Sequence, residues 1–203
     1  MDVWTAIKSR RSIRRFRQEA ISTEALLKLA EAARCAPSAA NRQPLEFVIV
    51  NAEEQTALVF AQLAWAGYVQ PRRDPPPAKH PVAYIVVLID PQKAIAEFGK
   101  VDAAAAIENI LLAAQGKGIG SCWLGSINRD ELREILEIPD QYDIDSVVAL
   151  GYPDETPVME DCKGDSIKYY LDDKDTLHVP KRALRTITHI NKFGSPVDLG
   201  QML

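Results

Sequence analysis

The sequence predicts one domain in which helices cover both faces of a β-sheet, and three observations point there. A chain of 203 residues is long for one domain and short for two. Segments with helical apolar spacing alternate with short strand-like runs, the order expected of a sheet sandwiched by helices. Two of those runs, residues 82–89 and 146–150, are almost continuously apolar, as strands buried on both faces must be.

In chain order, Val3–Ser9 reads as a short helix with Val3, Trp4 and Ile7 on one face. Ser22 caps a second helix that runs to about Cys35 through Leu26, Leu27, Leu29 and Ala30, and Pro37 stops it. Leu45–Val50 reads as a strand and residues 53–64 as another long helix. Residues 70–81 hold five prolines and form an exposed loop at the mouth of a pocket. After the buried strand 82–89, Asp102 begins the strongest helix, which runs through Ala103, Ala106, Ile107, Ile110 and Leu111 to Gln115. Being apolar almost all round, it is buried on more than one side, in the core or between subunits. Residues 121–127 read as a strand, and Asn128 with Glu131 opens a short helix that ends near Ile138. Residues 146–150 are closed by Gly151-Tyr152-Pro153, and the acidic stretch that follows, to residue 176, reads as a surface excursion.

Charge is distributed unevenly. The chain carries −4 overall, yet six of the ten residues from 8 to 17 are basic (Lys8, Arg10, Arg11, Arg14, Arg15, Arg17) and none is acidic. A second basic point, Lys181-Arg182, lies far along the sequence. Cations at a helix C-terminus complement its dipole, which is one reading of the first cluster. Two distant basic points converging on a single phosphate is the other. Nucleic acid is disfavoured by the overall acidity and by the sparseness of aromatic residues among the basic ones, Phe16 alone. No apolar run is long enough to span a bilayer, and no secretory h-region follows Asp2, so a cytoplasmic protein is expected. Three cysteines and three scattered histidines share no metal-ligand spacing.

Gly116-Lys117-Gly118-Ile119-Gly120 invites a dinucleotide-binding reading, but these glycines follow a helix and precede a strand, the reverse of the Rossmann order. They read instead as a helix C-cap and tight turn. No Gly-Lys-Ser/Thr triplet opens a helix, and no Ser–His–Asp or Cys–His set is legible. Cys122 reads as a small buried hydrophobe. Chemistry, if any, is then carried by a cofactor.

Three motifs in sequence, Arg10-Arg11-Ser12-Ile13-Arg14-Arg15-Phe16, Ala36-Pro37-Ser38-Ala39-Ala40-Asn41-Arg42-Gln43-Pro44 and Gly118-Ile119-Gly120-Ser121-Cys122-Trp123-Leu124-Gly125, resemble those of the FMN-dependent nitroreductase family. Ala149-Leu150-Gly151-Tyr152-Pro153 and Pro180-Lys181-Arg182 fit the same pattern. The resemblance implies an α+β fold: a central mixed or antiparallel β-sheet flanked by helices, in an intertwined homodimer with an FMN at each subunit interface. Residues 1–203 would form a single FMN-binding domain, with 65–81 a Pro-rich loop and 154–176 the excursion.

Carried over by position, Arg10, Ser12, Lys181 and Arg182 would hold the FMN phosphate, with Arg11 in the same cofactor-binding set. Arg14 would lie along the ribityl chain or near the flavin N1–O2 edge. Pro37, Ser38, Asn41 and Gln43 would come from the other subunit, and backbone at Leu124 and Gly125 would approach N5. NAD(P)H would be the transient electron donor, and the acceptor a small molecule such as a nitroaromatic or quinone. Relatives with this core instead dehalogenate aromatics or fragment reduced flavin, and a non-catalytic FMN-binding protein is a further alternative. The short, Pro-rich segment 64–81 stands where the family often builds a helical cover, which implies an open site or a different substrate.

Overall fold

The computed structural model describes residues 1–65, 67–69, 74–162, 164 and 166–195. Arg72 and Arg73, expected as a solvated pair in the proline loop, lie outside the described residues.

Local signals set the first elements. Asp2 accepts the Thr5 N–H and starts α1 (Val3–Ser9), and Ser22 accepts the Ala25 N–H and starts α2 (Thr23–Arg34). Between them Phe16–Arg17 forms a two-residue strand, β1. The remaining elements are β2 (Leu45–Val50), α3 (Glu53–Phe60), β3 (Ala83–Ile89), α4 (Phe98–Gly116), β4 (Gly120–Leu124), α5 (Arg129–Ile135), β5 (Asp143–Pro153), β6 (Val158–Asp161), β7 (Tyr170–Leu171) and β8 (Leu177–Lys181).

Five strands make one sheet in the order β1-β5-β3-β2, with β4 also on β5, and every strand pair in it is antiparallel. The period of two splits β3 cleanly. Ala83, Ile85, Val87 and Ile89 pack with α2 and α4, while Tyr84, Val86 and Leu88 pack with Val59 of α3 and Leu132 of α5. Both faces are thus covered, which explains the unbroken apolar run. The family-implied α+β architecture is the one observed. Among the described residues, no helix is long and apolar enough to cross a membrane.

Five expectations need correction. Helix α3 stops at Phe60 rather than near 64, and β4 stops at Leu124 because Ala64 and Leu63 turn across to bond the 126–127 segment. Helix α4 begins at Phe98, a turn before Asp102, whose carboxylate faces inward instead of capping. Strand β5 extends to both sides of 146–150, where it pairs with three neighbours. The excursion is no bare loop: β6 and β7 flank β8 in a second, three-stranded sheet.

The turn after α4 carries the cap expected of its glycines. Gly118 sits at φ 71°, and the Ile119 and Gly118 N–H groups donate back to the Ala114 and Gln115 carbonyls. One expected apolar face is left uncovered. Val3 (71% exposed) and Trp4 (65%) on α1 face outward, as do Phe98 and Val101 on α4.

Candidate functional site

Segment 10–17 leaves α1 and crosses the sheet edge on a floor of two glycines. Ile13 donates to the Ser121 carbonyl at 2.9 Å, and Ser12 and Ser121 form a parallel bridge. Gly120 and Gly151 are register partners on β4 and β5. A Cβ at Gly120 would sit 2.9 Å from Ile13, and one at Gly151 would sit 2.7–2.9 Å from Phe16, which is fully buried. The glycines of both motifs are therefore steric requirements of the crossing. Gly151→Ala should destabilise the fold by about 1–3 kcal/mol, the usual penalty of overpacking. That corresponds to a fall of roughly 3–10 °C in a thermal melt. Gly125→Ala, where a Cβ meets nothing within 4 Å, should leave the melt unlowered.

The basic segment is gripped by the region after β5. The Glu155 carboxylate accepts the backbone N–H of Arg14 at 2.5 Å and of Arg15 at 3.2 Å. Arg15 donates to Asp175 at 2.6 Å, and the Arg14 guanidinium lies 5.2 Å over the Tyr169 ring. Arg11 reaches the Met159 thioether Sδ at 2.9 Å. Met159 pairs in register with Val179, two residues before Lys181 on β8. Arg11 thus touches the small sheet whose β8 strand carries Lys181. Lys181 and Arg182 are exposed there, and Arg10 lies 3.7 Å from Glu108.

Arg11 differs from the rest. It is 8% exposed, and its guanidinium donates to the Arg10 and Lys8 carbonyls, so it braces the chain from within. Burial, then the neighbouring Arg10, pulls its pKa down. Cys122 is buried as expected, and burial pushes its thiol up, opposed by Arg14 and Arg10 and by a hydrogen bond with Ser12. A buried, protonated thiol is no nucleophile. Ser12 itself bridges Ser121, the β4 residue next to Cys122.

The second expected group lies apart. Loop 36–44 packs against α4, where Asp102 accepts the Ala39 N–H at 2.9 Å and Ser38 Oγ accepts the Gln43 N–H at 3.0 Å. Ala40, Asn41 and Gln43 all adopt positive φ (48°, 54° and 49°). Pro37, Ser38 and Gln43 line a 140 Å³ cleft with Phe47 and Leu45. Among the described residues, no hydrogen bond or ion pair joins this loop to segment 10–15 or to Lys181-Arg182. Leu124 and Gly125 close β4, three and four residues beyond Ser121, with open space at Gly125. The larger cleft of 1080 Å³ near Ile89 and Arg129 contains none of the expected residues. Its Arg129 and Arg133 are taken up by the carbonyls of Ile144, Asp145, Pro139 and Tyr142.

Glu155, Tyr169, Asp175 and Asp102 were not singled out as site residues by sequence. An acid set directly before four alanines of an apolar helix was the available signal for Asp102.

The small sheet that carries Lys181 has its own charge cluster. His178 lies 2.9 Å from Glu160 and 3.3 Å from Asp172, and stacks on Tyr170 at 4.9 Å. Glu160, then Asp172, raises the His178 pKa above its ordinary value of 6.5. A raised folded pKa gives stability that is fully present below the unfolded pKa and lost as pH rises through the folded one. Amide-exchange protection of β6 and β8 should therefore fall as pH rises above 6.5 through that raised value, and His178→Gln should flatten the profile.

A sequence model of the nitroreductase family matches residues 7–152. A relative from Archaeoglobus fulgidus, 41% identical over 153 residues (72% of this chain, 83% of the relative), carries a provisional name pairing NADH dehydrogenase with NAD(P)H nitroreductase. Two solved structures share the fold. One, from Desulfovibrio desulfuricans, is provisionally named a nitroreductase and was solved in complex with FMN. It is 28% identical, with a TM-score of 0.66 over 81% of this chain and 93% of that one. The other is an FMN-dependent nitroreductase from Clostridium difficile, 26% identical, with a TM-score of 0.66 over 93% and 98%.

Proposed function

This chain belongs to the nitroreductase family, and from that premise we propose that it is a homodimeric FMN oxidoreductase of the cytoplasm. When bound, FMN would accept a hydride from NADH or NADPH and pass electrons to a nitroaromatic, quinone or similar acceptor, in the ping-pong order one shared pocket imposes.

The residues fit that group. A phosphomonoester carries about −1.5 to −2 at neutral pH, and Arg10, Ser12, Lys181 and Arg182 supply three cations and a hydroxyl to meet it. Arg14 keeps a buried Nε without a partner, an unused donor beside the same segment. Its charge would stabilise electron density that accumulates on the ring system. Gly125 leaves room where backbone would face the reacting edge. Arg11 would serve by holding the segment rather than by touching the cofactor. Pro37, Ser38, Asn41 and Gln43 would wall the site of a second copy, because in their own chain they stand apart from the cationic group. The exposed Val3, Trp4, Phe98 and Val101 supply an apolar face for that pairing. Three unpaired cysteines suit a reducing compartment.

The observation that carries this reading is the contact of Arg11 with Met159 on the small sheet whose β8 strand ends at Lys181, which supports convergence of the two basic stretches. Purified protein should be yellow and dimeric, and anaerobic NADH or NADPH should bleach it. Failure of both donors removes the nicotinamide half of the reading. Failure of the apoprotein to rebind FMN removes all of it.

A further inference from the structure

The family match ends at residue 152, yet the basic segment is gripped from beyond that point, by Glu155, Met159, Tyr169 and Asp175. Their holds are of two kinds. Arg10, Arg15 and Arg17 each lie within 4 Å of a carboxylate (Glu108 at 3.7 Å, Asp175 at 2.6 Å, Glu19 at 3.9 Å). Arg14 has no such ion pair among the described residues. Its backbone is pinned by Glu155, but its guanidinium rests on an aromatic face, 5.2 Å from the Tyr169 ring centre, with Nε buried and unpartnered. A carboxylate would orient this cation and neutralise it together. A π face orients it and leaves the full positive charge for a ligand.

The ring is itself well placed to act as a fixed platform. Tyr169 packs against the core with Leu171 and Val179 of the small sheet. Its hydroxyl accepts the Tyr68 N–H at 3.3 Å, and the two tyrosine rings lie 5.3 Å apart. Tyr68 belongs to the chain that follows Ala64, whose N–H donates to Ser126, next to Gly125. One side chain therefore touches the cation, Tyr68 and the core cluster shared with the sheet that carries Lys181.

We propose that Tyr169 is a positioning residue for Arg14: its ring holds the guanidinium in place with its charge uncompensated, and its hydroxyl ties the Tyr68 loop to the same point. The consequence for FMN rests on the functional reading above; the tether does not.

The test compares Tyr169→Phe, which keeps the ring, with Tyr169→Leu, which removes it. In ligand-free, ¹⁵N-arginine-labelled protein the Arg14 Nε–H signal, assigned through Arg14→Lys, should exchange faster in the Leu variant and stay protected in the Phe variant. FMN affinity, read by flavin fluorescence quenching on the apoprotein, should weaken about tenfold in the Leu variant, the scale of one partly desolvated cation–π contact. In an Arg14→Gln background the Leu substitution should add nothing. Should the Leu variant fail to fold, Tyr169→Met, which fills similar space without a π face, takes its place. Unchanged Arg14 exchange in the ring-less variant, or an equal loss of FMN affinity in the Arg14→Gln background, overturns the proposal. If the wild type binds no FMN, the functional reading falls and the Arg14 signal alone decides the tether.

Discussion

Arg10→Ala should weaken FMN binding on the order of 10- to 100-fold, whereas Arg17→Ala should leave it within about twofold. The first figure is the loss of a charge-assisted hydrogen bond to phosphate, about 1.5–3 kcal/mol. Arg10 is suited to that contact. Its side chain is 22% exposed and its acidic neighbour, Glu108, sits 3.7 Å away, a loose surface pair worth at most about 1 kcal/mol that a phosphate can displace. Arg17 is 55% exposed and lies against Glu19 and the Tyr152 ring, beyond the point where the segment is gripped. Fluorescence titration of both apoproteins at one fixed ionic strength separates a built anion site from a diffuse positive field. Equal losses in the two variants would mean that the basic run acts only through long-range charge, and the phosphate assignment would fail.

How much of this was legible follows from the range of the forces involved. Helices α1 and α2 and strand β2 lie where the residues suggest, because Ser22, Pro37 and the alternating apolar positions act locally. The start of α4 was not legible, because Asp102 reads as a helix cap and instead faces inward, where it accepts the Ala39 N–H from 63 residues away. Strands β6 and β7, four and two residues long, carry too little periodicity to read and exist by pairing with β8.

The site divides the same way. A run of arginines is a local fact and stands out in any window. The groups that fix those arginines come from 141 and 160 residues away, as Glu155 and Asp175, inside a stretch whose acidity reads as ordinary solvation. Loop 36–44 could be tied to the cationic segment only through the family resemblance, since the chain itself makes no bond between them among the described residues. Gly120 and Gly151 looked like turn glycines and prove to be the floor under Ile13 and Phe16.

Asp102→Ala should lower FMN affinity by roughly tenfold or more while leaving α4 helical. The argument begins with loop strain. Ala40, Asn41 and Gln43 hold left-handed backbone angles that disfavour residues with a Cβ, at about 1–2 kcal/mol each. Such a loop persists only where its surroundings over-determine it. Asp102, 4% exposed, supplies one restraint by accepting the Ala39 N–H, and Ser38 supplies another by accepting the Gln43 N–H. A hydrogen bond to a charged group contributes about 1.5–3 kcal/mol, so its removal shifts the loop by a factor of roughly 10 to 150 toward relaxed conformers. Apparent affinity falls with the fraction of loop still competent. Alanine is a strong helix former, so α4 itself should stand. Asp102→Asn keeps an acceptor for Ala39 and should recover most of the affinity. Exchange of the Ala39 amide in the ligand-free protein reads the restraint directly, fast in the Ala variant and slow in the Asn variant. Slow exchange in the Ala variant would show that the loop holds its angles without Asp102, and the predicted loss of affinity would have no cause.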